Sequence, residues 1–352
     1  MNTPVIASIG AGRMGRGIAV TFALAGMPVY LLDIKARESG AFEILQNDVF
    51  TELEGTLNML GEIGFPLSLI ANTETTSASK HQDEQKKLVT QILSRVHVVA
   101  QAQATDALAK ADYVFEAVPE TLPAKKAAFE FVSAHAADKA VVASTTSTIL
   151  SNDLQPLVKH PERFLNAHWL NPAFLVPLVE LSPGELTDDK VVQQLKQLLE
   201  SMGKVPVVCA ASPGYIVPRI QALAMNEAAR MAEEGVATVE DIDKATRYGF
   251  GFRFAVLGLL EFIDWGGGDI LYHASRYMVD ATGDSRHASP PVIEKNMKEN
   301  RIGLSTGEGF LDYENIDIDA YRKQRLSAFV AMLKHIDKMP VSPIVNPGKQ
   351  PV

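Results

Sequence analysis

The sequence predicts an α/β chain: an N-terminal, mostly parallel sheet with added antiparallel strands over residues 1–211, then an all-α C-terminal domain over 212–352. Three observations carry this. Short apolar runs alternate with helical patterns from Val5 to Ser144, as in a parallel sheet covered on both faces. Two further runs, Phe164–Leu170 and Pro177–Leu181, are separated by only a short Pro-containing link, which favours an antiparallel pair. From Ser212 onward the periodicity is nearly all helical, and Ser212-Pro213-Gly214 punctuates the change.

Taken in order, Val5–Ile9 is short, β-rich and bounded by glycine, and reads as a buried strand. Arg16–Ala25 follows as a helix with Ile18, Ala19, Phe22 and Ala23 on one face and Gly26 as its C-cap. Val29–Ile34, Val96–Ala100, Tyr113–Val118 and Ala140–Ser144 continue the strands, with an Ala-rich helix around Lys125–Ala137. Val205–Val208 is the last strand. Four helices are predicted beyond it: Tyr215–Glu234, Val239–Tyr248, Leu257–Ala274 and Ala320–His335.

The bulk properties narrow the function. A chain of 352 residues, 47% hydrophobic and 21% charged, buries cores without covalent staples and exceeds one ordinary domain. Its single cysteine, Cys209, excludes an intrachain disulfide and argues for a reducing compartment. Lying in the apolar run Val205–Ala211, Cys209 reads as a small buried hydrophobe rather than a nucleophile. A net charge of −9 gives no footprint for nucleic acid or an anionic membrane. The first residues lack a signal peptide's basic start and apolar core, and no run is long enough to span a bilayer. The expectation is a soluble, cytoplasmic protein with a small-molecule substrate and no metal site.

Gly10-Ala11-Gly12-Arg13-Met14-Gly15 has the spacing G-x-G-x-x-G, a weak signal alone. It gains force because it leaves a predicted strand and opens a predicted helix. In such a unit the first glycine allows the tight turn. The second lets a pyrophosphate approach the backbone, and the third lets helix and strand pack closely. The helix N-terminus then offers N–H donors to the phosphates. Asp33 lies 18 residues after Gly15, at the end of the second strand. A carboxylate there accepts from a ribose diol and repels a 2′-phosphate, which favours NAD over NADP, a preference that Lys35 and Arg37 nearby could soften. Lys35 and Arg37 are read as solvated surface charges.

Oxidising an alcohol with such a cofactor requires a base for the hydroxyl proton. Seven of the eight histidines sit in polar or irregular surroundings. His168 instead lies in an apolar strand, just before Asn171-Pro172. Glu180 also sits in an apolar run, where an unpaired carboxylate is costly. If the two strands pair, Glu180 accepts from one imidazole nitrogen of His168 and fixes its tautomer.

With these residues in view, the sequence resembles the 3-hydroxyacyl-CoA dehydrogenase family over most of its length. The resemblance is carried by the Gly10–Gly15 turn, Phe115-Glu116-Ala117-Val118-Pro119-Glu120, Ser144-Thr145-Thr146-Ser147 and His168-Trp169-Leu170-Asn171-Pro172. It continues through Pro177-Leu178-Val179-Glu180, Pro213-Gly214-Tyr215-Ile216-Val217 and Ser305-Thr306-Gly307-Glu308-Gly309-Phe310. It implies a Rossmann-like NAD domain and a catalytic dyad of His168 and Glu180, with Ser147 hydrogen-bonding the reacting oxygen. Arg13, Met14 and Thr145 lie in the matched cofactor motifs, Glu120 and Lys125 match positions near the nicotinamide ribose, and Asn171 matches the substrate side. The resemblance further implies a homodimer, a helical domain closing over the substrate, and a short-chain L-3-hydroxyacyl-CoA substrate with the fatty-acid metabolism that goes with it. Two residue readings compete with these roles: Ser147 as a helix-capping hydroxyl, and Glu120 with Lys125 as a helix-start charge pair.

Three features depart from the family. The asparagine expected after Pro-Gly-aromatic-Ile-Val is Pro218, which offers no polar side chain and no N–H. Residues 38–79 contain seven acidic side chains and no Lys or Arg, which disfavours a CoA tail there and leaves Lys80, Lys86 and Lys87 as its cations. The family's Gly-Pro turn is replaced by Gly251-Phe252-Arg253-Phe254-Ala255-Val256-Leu257-Gly258. This stretch is more similar to relatives acting on free hydroxy compounds: gulonate, carnitine and pyridine-carboxylate dehydrogenases. Arg253 suits a free carboxylate, or equally a surface or interface ion pair. Two substrates thus stand, an acyl-CoA or a small free hydroxy acid or aromatic alcohol. A protein that binds NAD without turnover is the alternative from another class.

Overall fold

The computed structural model describes residues 3–38, 40–67 and 78–340, with the side chains of 78–82 excluded. Lys80 and His81 therefore lie outside the described side chains. Two compact units divide between Ala224 and Met225.

The first unit holds one eight-stranded sheet in the order β3-β2-β1-β4-β5-β6-β7-β8. The strands are β1 Ile6–Ile9, β2 Val29–Asp33, β3 Val96–Ala100, β4 Tyr113–Glu116, β5 Val141–Ser144, β6 Phe164–Trp169, β7 Leu178–Pro183 and β8 Val205–Val208. Every pairing is parallel except β6 with β7. All four residues of β1 and of β5 are buried, because helices cover both faces. One core cluster joins Ile6, Leu31 and Phe115 to α1 (Arg13–Leu24), α2 (Ala41–Glu62), α3 (Ala78–Leu93) and a later helix, Asp189–Ser201. The other joins Ala7, Ile9 and Leu32 to α4 (Ala104–Lys110) and α5 (Leu122–His135). Alternate residues of β1 serve opposite faces, as a period of two requires.

Chain order reverses between β1 and β4. In an open parallel sheet that point leaves a crevice beyond the carboxyl ends of the strands. The Gly10 turn, Asp33, Ala117 and Thr145 all follow or end strands there.

The second unit is helical: Val239–Ala245, Leu259–Gly266, Gly268–Thr282, Pro291–Lys298 and Ile318–His335. Two expected helices are modified. Val239–Tyr248 stops as α-helix at Ala245 and continues as a π-helical stretch, Thr246–Gly251. Leu257–Ala274 is two helices, because Gly266-Gly267-Gly268 interrupts it and Gly267 has φ +102, which side-chain-bearing residues rarely adopt.

Candidate active site

The glycine turn is fixed by contacts a side chain would destroy. Gly10 has φ +104, and a Cβ there would lie 2.6 Å from the Ala117 carbonyl oxygen. A Cβ on Gly15 would fall well inside the Gly10 carbonyl oxygen. Gly12 is different, since a Cβ on it meets nothing within 4 Å. It faces a cavity of about 390 Å³ lined by Gly10, Gly12, Asp33, Arg37, Ala117 and Pro119. An open cradle at the second glycine, N-terminal N–H groups of α1 beside it and a carboxylate at the end of β2 fit a dinucleotide. Arg13 is exposed at the start of α1, whereas Met14 packs against the core. Asp33 is nearly buried and pairs through Oδ2 with Nε of Arg37, which is thus no free surface charge.

The acidic arm is likewise less unbalanced than its sequence suggests. Arg16 of α1 reaches Asp48, at 2.7 Å, and Glu52 of α2, and its Nε donates to the Ala11 carbonyl at 2.9 Å. Two of the arm's carboxylates therefore share one cation, and α2 is tied to the glycine turn.

Glu116 and Lys125 are both fully buried. The Lys125 ammonium lies 3.0 Å and 3.1 Å from the two Glu116 oxygens and 3.2 Å from Glu120 Oε2. Glu120 Oε1 then gathers the chain that follows β5. It accepts from the Ser147 N–H at 2.9 Å, the Thr148 N–H at 3.0 Å, the Thr148 hydroxyl at 2.9 Å and the Thr146 hydroxyl. Ser147 itself is exposed, and the Thr145 N–H donates to the Glu116 carbonyl at 2.9 Å. Burial opposes ionisation of Glu120, but the Thr146 hydroxyl and the Lys125 ammonium outweigh it and hold the carboxyl at about 2. A carboxyl depressed from its ordinary 4.5 contributes stability that is present above pH 4.5 and lost as pH falls towards 2. Glu120→Gln should therefore lose less thermal stability than the parent chain across that window. Parallel melting-temperature profiles from pH 5 to 2.5 would remove this anchor.

His168 and Glu180 face each other directly in the β6–β7 register. Nδ1 of His168 is 2.7 Å from Glu180 Oε2, and Glu180 has no solvent exposure. The second Glu180 oxygen accepts from the Ile216 N–H at 2.9 Å and the Val217 N–H at 2.8 Å, at the start of the helix Val217–Glu233. The buried carboxylate is thus held by three donors. Because Nδ1 is committed to it, Nε2 is the nitrogen left for a proton in transit. Pro218 sits in the first turn of that helix, where an N–H has no intrahelical partner and proline is favoured.

Sequence reasoning passed over Tyr215. Its ring stacks on His168, with centroids 5.0 Å apart and planes at 21°. Asn171 is exposed just beyond β6. Arg253 lies in the second unit, exposed, with its guanidinium 4.9 Å from the Phe262 ring centroid and its Nε donating to the Gly249 carbonyl. Cys209 proves half-buried rather than buried, and burial together with the Glu180 charge pushes its thiol up to about 11. Among the described residues no group of His, Cys, Asp and Glu could hold a metal ion, and no helix is long and apolar enough to cross a membrane.

Comparison with known proteins gives two family matches. Residues 5–56 and 67–212 match the 3-hydroxyacyl-CoA dehydrogenase NAD binding domain, and residues 214–313 match the C-terminal domain of the same enzymes. A 3-hydroxybutyryl-CoA dehydrogenase of Bradyrhizobium diazoefficiens is 33% identical over 305 residues, 87% of this chain and 94% of the relative. The 5-formyl-3-hydroxy-2-methylpyridine 4-carboxylate 5-dehydrogenase of Mesorhizobium japonicum is 28% identical over 333 residues, 94% of this chain and 98% of the relative. Among solved structures, a 3-hydroxyacyl-CoA dehydrogenase of Archaeoglobus fulgidus superposes with a TM-score of 0.69 at 26% identity, covering 96% of this chain and all of that one.

Proposed function

Because the chain belongs to the 3-hydroxyacyl-CoA dehydrogenase family, we propose that it interconverts a short-chain L-3-hydroxyacyl-CoA and the 3-ketoacyl-CoA, with His168 as the proton-transferring group. It is an NAD-dependent oxidoreductase acting on a CH–OH group. The observation that carries the proposal is the His168–Glu180 dyad, 2.7 Å apart at the carboxyl end of β6.

NAD, when bound, accepts or returns the hydride. The chain's own residues do the rest. Asp33 and the α1 N-terminus would hold the dinucleotide, with Glu120 and Thr145 on its nicotinamide side and the buried Lys125 acting through Glu120, which it holds in place. During oxidation Nε2 of His168 takes the hydroxyl proton, and the imidazolium so formed faces the Glu180 carboxylate. In reduction the same nitrogen returns the proton. Ser147, held through its N–H by Glu120, presents its hydroxyl to the reacting oxygen, and Asn171 contacts the substrate. The dyad also speaks against a protein that binds NAD without turnover, since binding needs neither a base nor its carboxylate.

Residues 1–211 form the NAD domain in this proposal and 212–352 the substrate and dimerisation domain. A homodimer is supported by apolar side chains of the second unit that stand exposed, among them Met225, Val239, Ile270 and Tyr277.

One observation favours a second substrate class, a small free hydroxy acid or aromatic alcohol. The match to the pyridine-carboxylate dehydrogenase covers nearly the full length of both chains. Pro218, and Arg253 as a carboxylate partner, point the same way, whereas Lys86 and Lys87 are exposed cations suited to a CoA tail. The two are separated by following NADH oxidation with acetoacetyl-CoA beside NAD reduction with a panel of free 3-hydroxy acids. Turnover of the thioester, lost in His168→Ala, is the expected result. Silence with the thioester and turnover of a free acid would overturn the acyl-CoA assignment.

A further inference from the structure

We propose that Tyr215 is a positioning residue that locks the His168 imidazole and the Ser147-bearing chain into one fixed relation, and this rests on His168 being the proton-transferring group.

The contacts form a closed circuit. Tyr215 stacks on His168 at 5.0 Å. Its hydroxyl donates to the Thr146 carbonyl at 3.0 Å and accepts from Asn166 Nδ2 at 3.0 Å. Asn166 lies two residues before His168 on the same face of β6, and its amide also donates to the Ile149 carbonyl at 2.9 Å. The next two backbone N–H groups after Tyr215, those of Ile216 and Val217, hold the Glu180 oxygen that His168 does not use. One residue thus touches the base through its ring, the Ser147 segment through its hydroxyl, and the dyad carboxylate through its neighbours.

Two further facts separate this from ordinary packing. Tyr215 has φ +45, which a residue with a side chain seldom adopts, and follows Gly214 at φ +76. Such a conformation persists where the surroundings over-determine it. Burial, with the nearby charges of Glu120 and Glu180, also pushes the phenol well above its ordinary 10, so it remains a proton donor towards Thr146 throughout the working range. Both faces of the contact bear on the reaction. The ring limits rotation of the imidazole and presents its π face to an imidazolium. The hydroxyl sets the distance between that imidazole and the segment carrying Ser147.

The test compares Tyr215→Phe and Tyr215→Leu with His168→Ala, using whichever substrate the parent enzyme turns over, with kcat, KM for NAD and melting temperature as readouts. Tyr215→Phe keeps the stack and loses the hydroxyl's bonds to Thr146 and Asn166, so kcat should fall about fivefold, the scale of a net hydrogen-bond contribution after the exchange with water. Tyr215→Leu loses the stack as well and should cost about 10²-fold in kcat, as expected when a reacting group is displaced by about an ångström. KM for NAD should stay within about twofold in both, because neither touches the glycine turn. Phe at the parent rate, or folded Leu variant with parent kcat per active site, would reduce Tyr215 to packing and overturn the proposal. Should Tyr215→Leu fail to fold, the Phe variant decides alone. A His168→Ala enzyme that works at the parent rate would instead remove the base itself, whatever the tyrosine variants do.

Discussion

His168→Ala is expected to lower kcat by about 10³-fold, within the 10²–10⁴ range that a positioned general acid–base contributes. The loss should be confined to the chemical step. The glycine turn, Asp33 and the α1 N-terminus are untouched, so the affinity for NAD should be nearly unchanged. The fold should also survive, which is not obvious for a buried site. Truncation strands Glu180, a carboxylate with no solvent exposure. That carboxylate loses the donor to Oε2 but keeps on Oε1 its bonds from the Ile216 and Val217 N–H groups, so it is only partly stripped of partners. A modest fall in melting temperature with a collapsed kcat is therefore the expected pair of results. A kcat within tenfold of the parent would show that the proton leaves by another route, and Ser147 would be the next group to replace.

Much of this site was legible because polar residues in apolar runs are costly and must find partners. That reasoning joins His168 to Glu180, and the direct cross-strand register bears it out. The same logic was available for Glu116, which closes the apolar strand Tyr113–Glu116 and is satisfied by the equally buried Lys125. The parallel strands were readable for a related reason: burial on both faces leaves continuous apolar runs. What stayed hidden is contact made through backbone groups or over long separations. The N–H groups holding Glu180 lie 36 and 37 residues away and leave no mark on side-chain composition. Arg16 meets Asp48 and Glu52 across 32 and 36 residues, so the acidic arm looked unopposed. Tyr215 looked like one aromatic among many, since only the folded turn brings its ring to His168. The split at Gly266-Gly267-Gly268 is carried by three consecutive glycines, each a poor helix former, which the helical reading of Leu257–Ala274 did not take into account.

The glycine turn supplies the second large effect, and its second and third glycines should differ in what they cost: alanine at Gly15 lowers both stability and NAD affinity, alanine at Gly12 NAD affinity alone. Alanine at Gly15 places a methyl group inside the Gly10 carbonyl oxygen and 3.2 Å from the Ser8 hydroxyl. The first of these is backbone, which no rotamer change relieves, so α1 must move away from β1. Overpacking of this kind costs about 1–3 kcal/mol of stability. It also carries the N-terminal N–H groups of α1 off the phosphate position, so NAD affinity should fall tenfold or more, about 1.4 kcal/mol. Alanine at Gly12 meets nothing within 4 Å, and the melting temperature without cofactor should be that of the parent. Its methyl instead projects into the cavity where the pyrophosphate is expected, so the loss should appear only as weakened NAD binding and a smaller stabilisation by added NAD. Melting curves with and without NAD separate the two variants directly. If Gly12→Ala bound NAD as the parent does, the cavity beside Gly12 would not be the phosphate cradle. The role of the turn would then reduce to the helix–strand packing that Gly15 enforces.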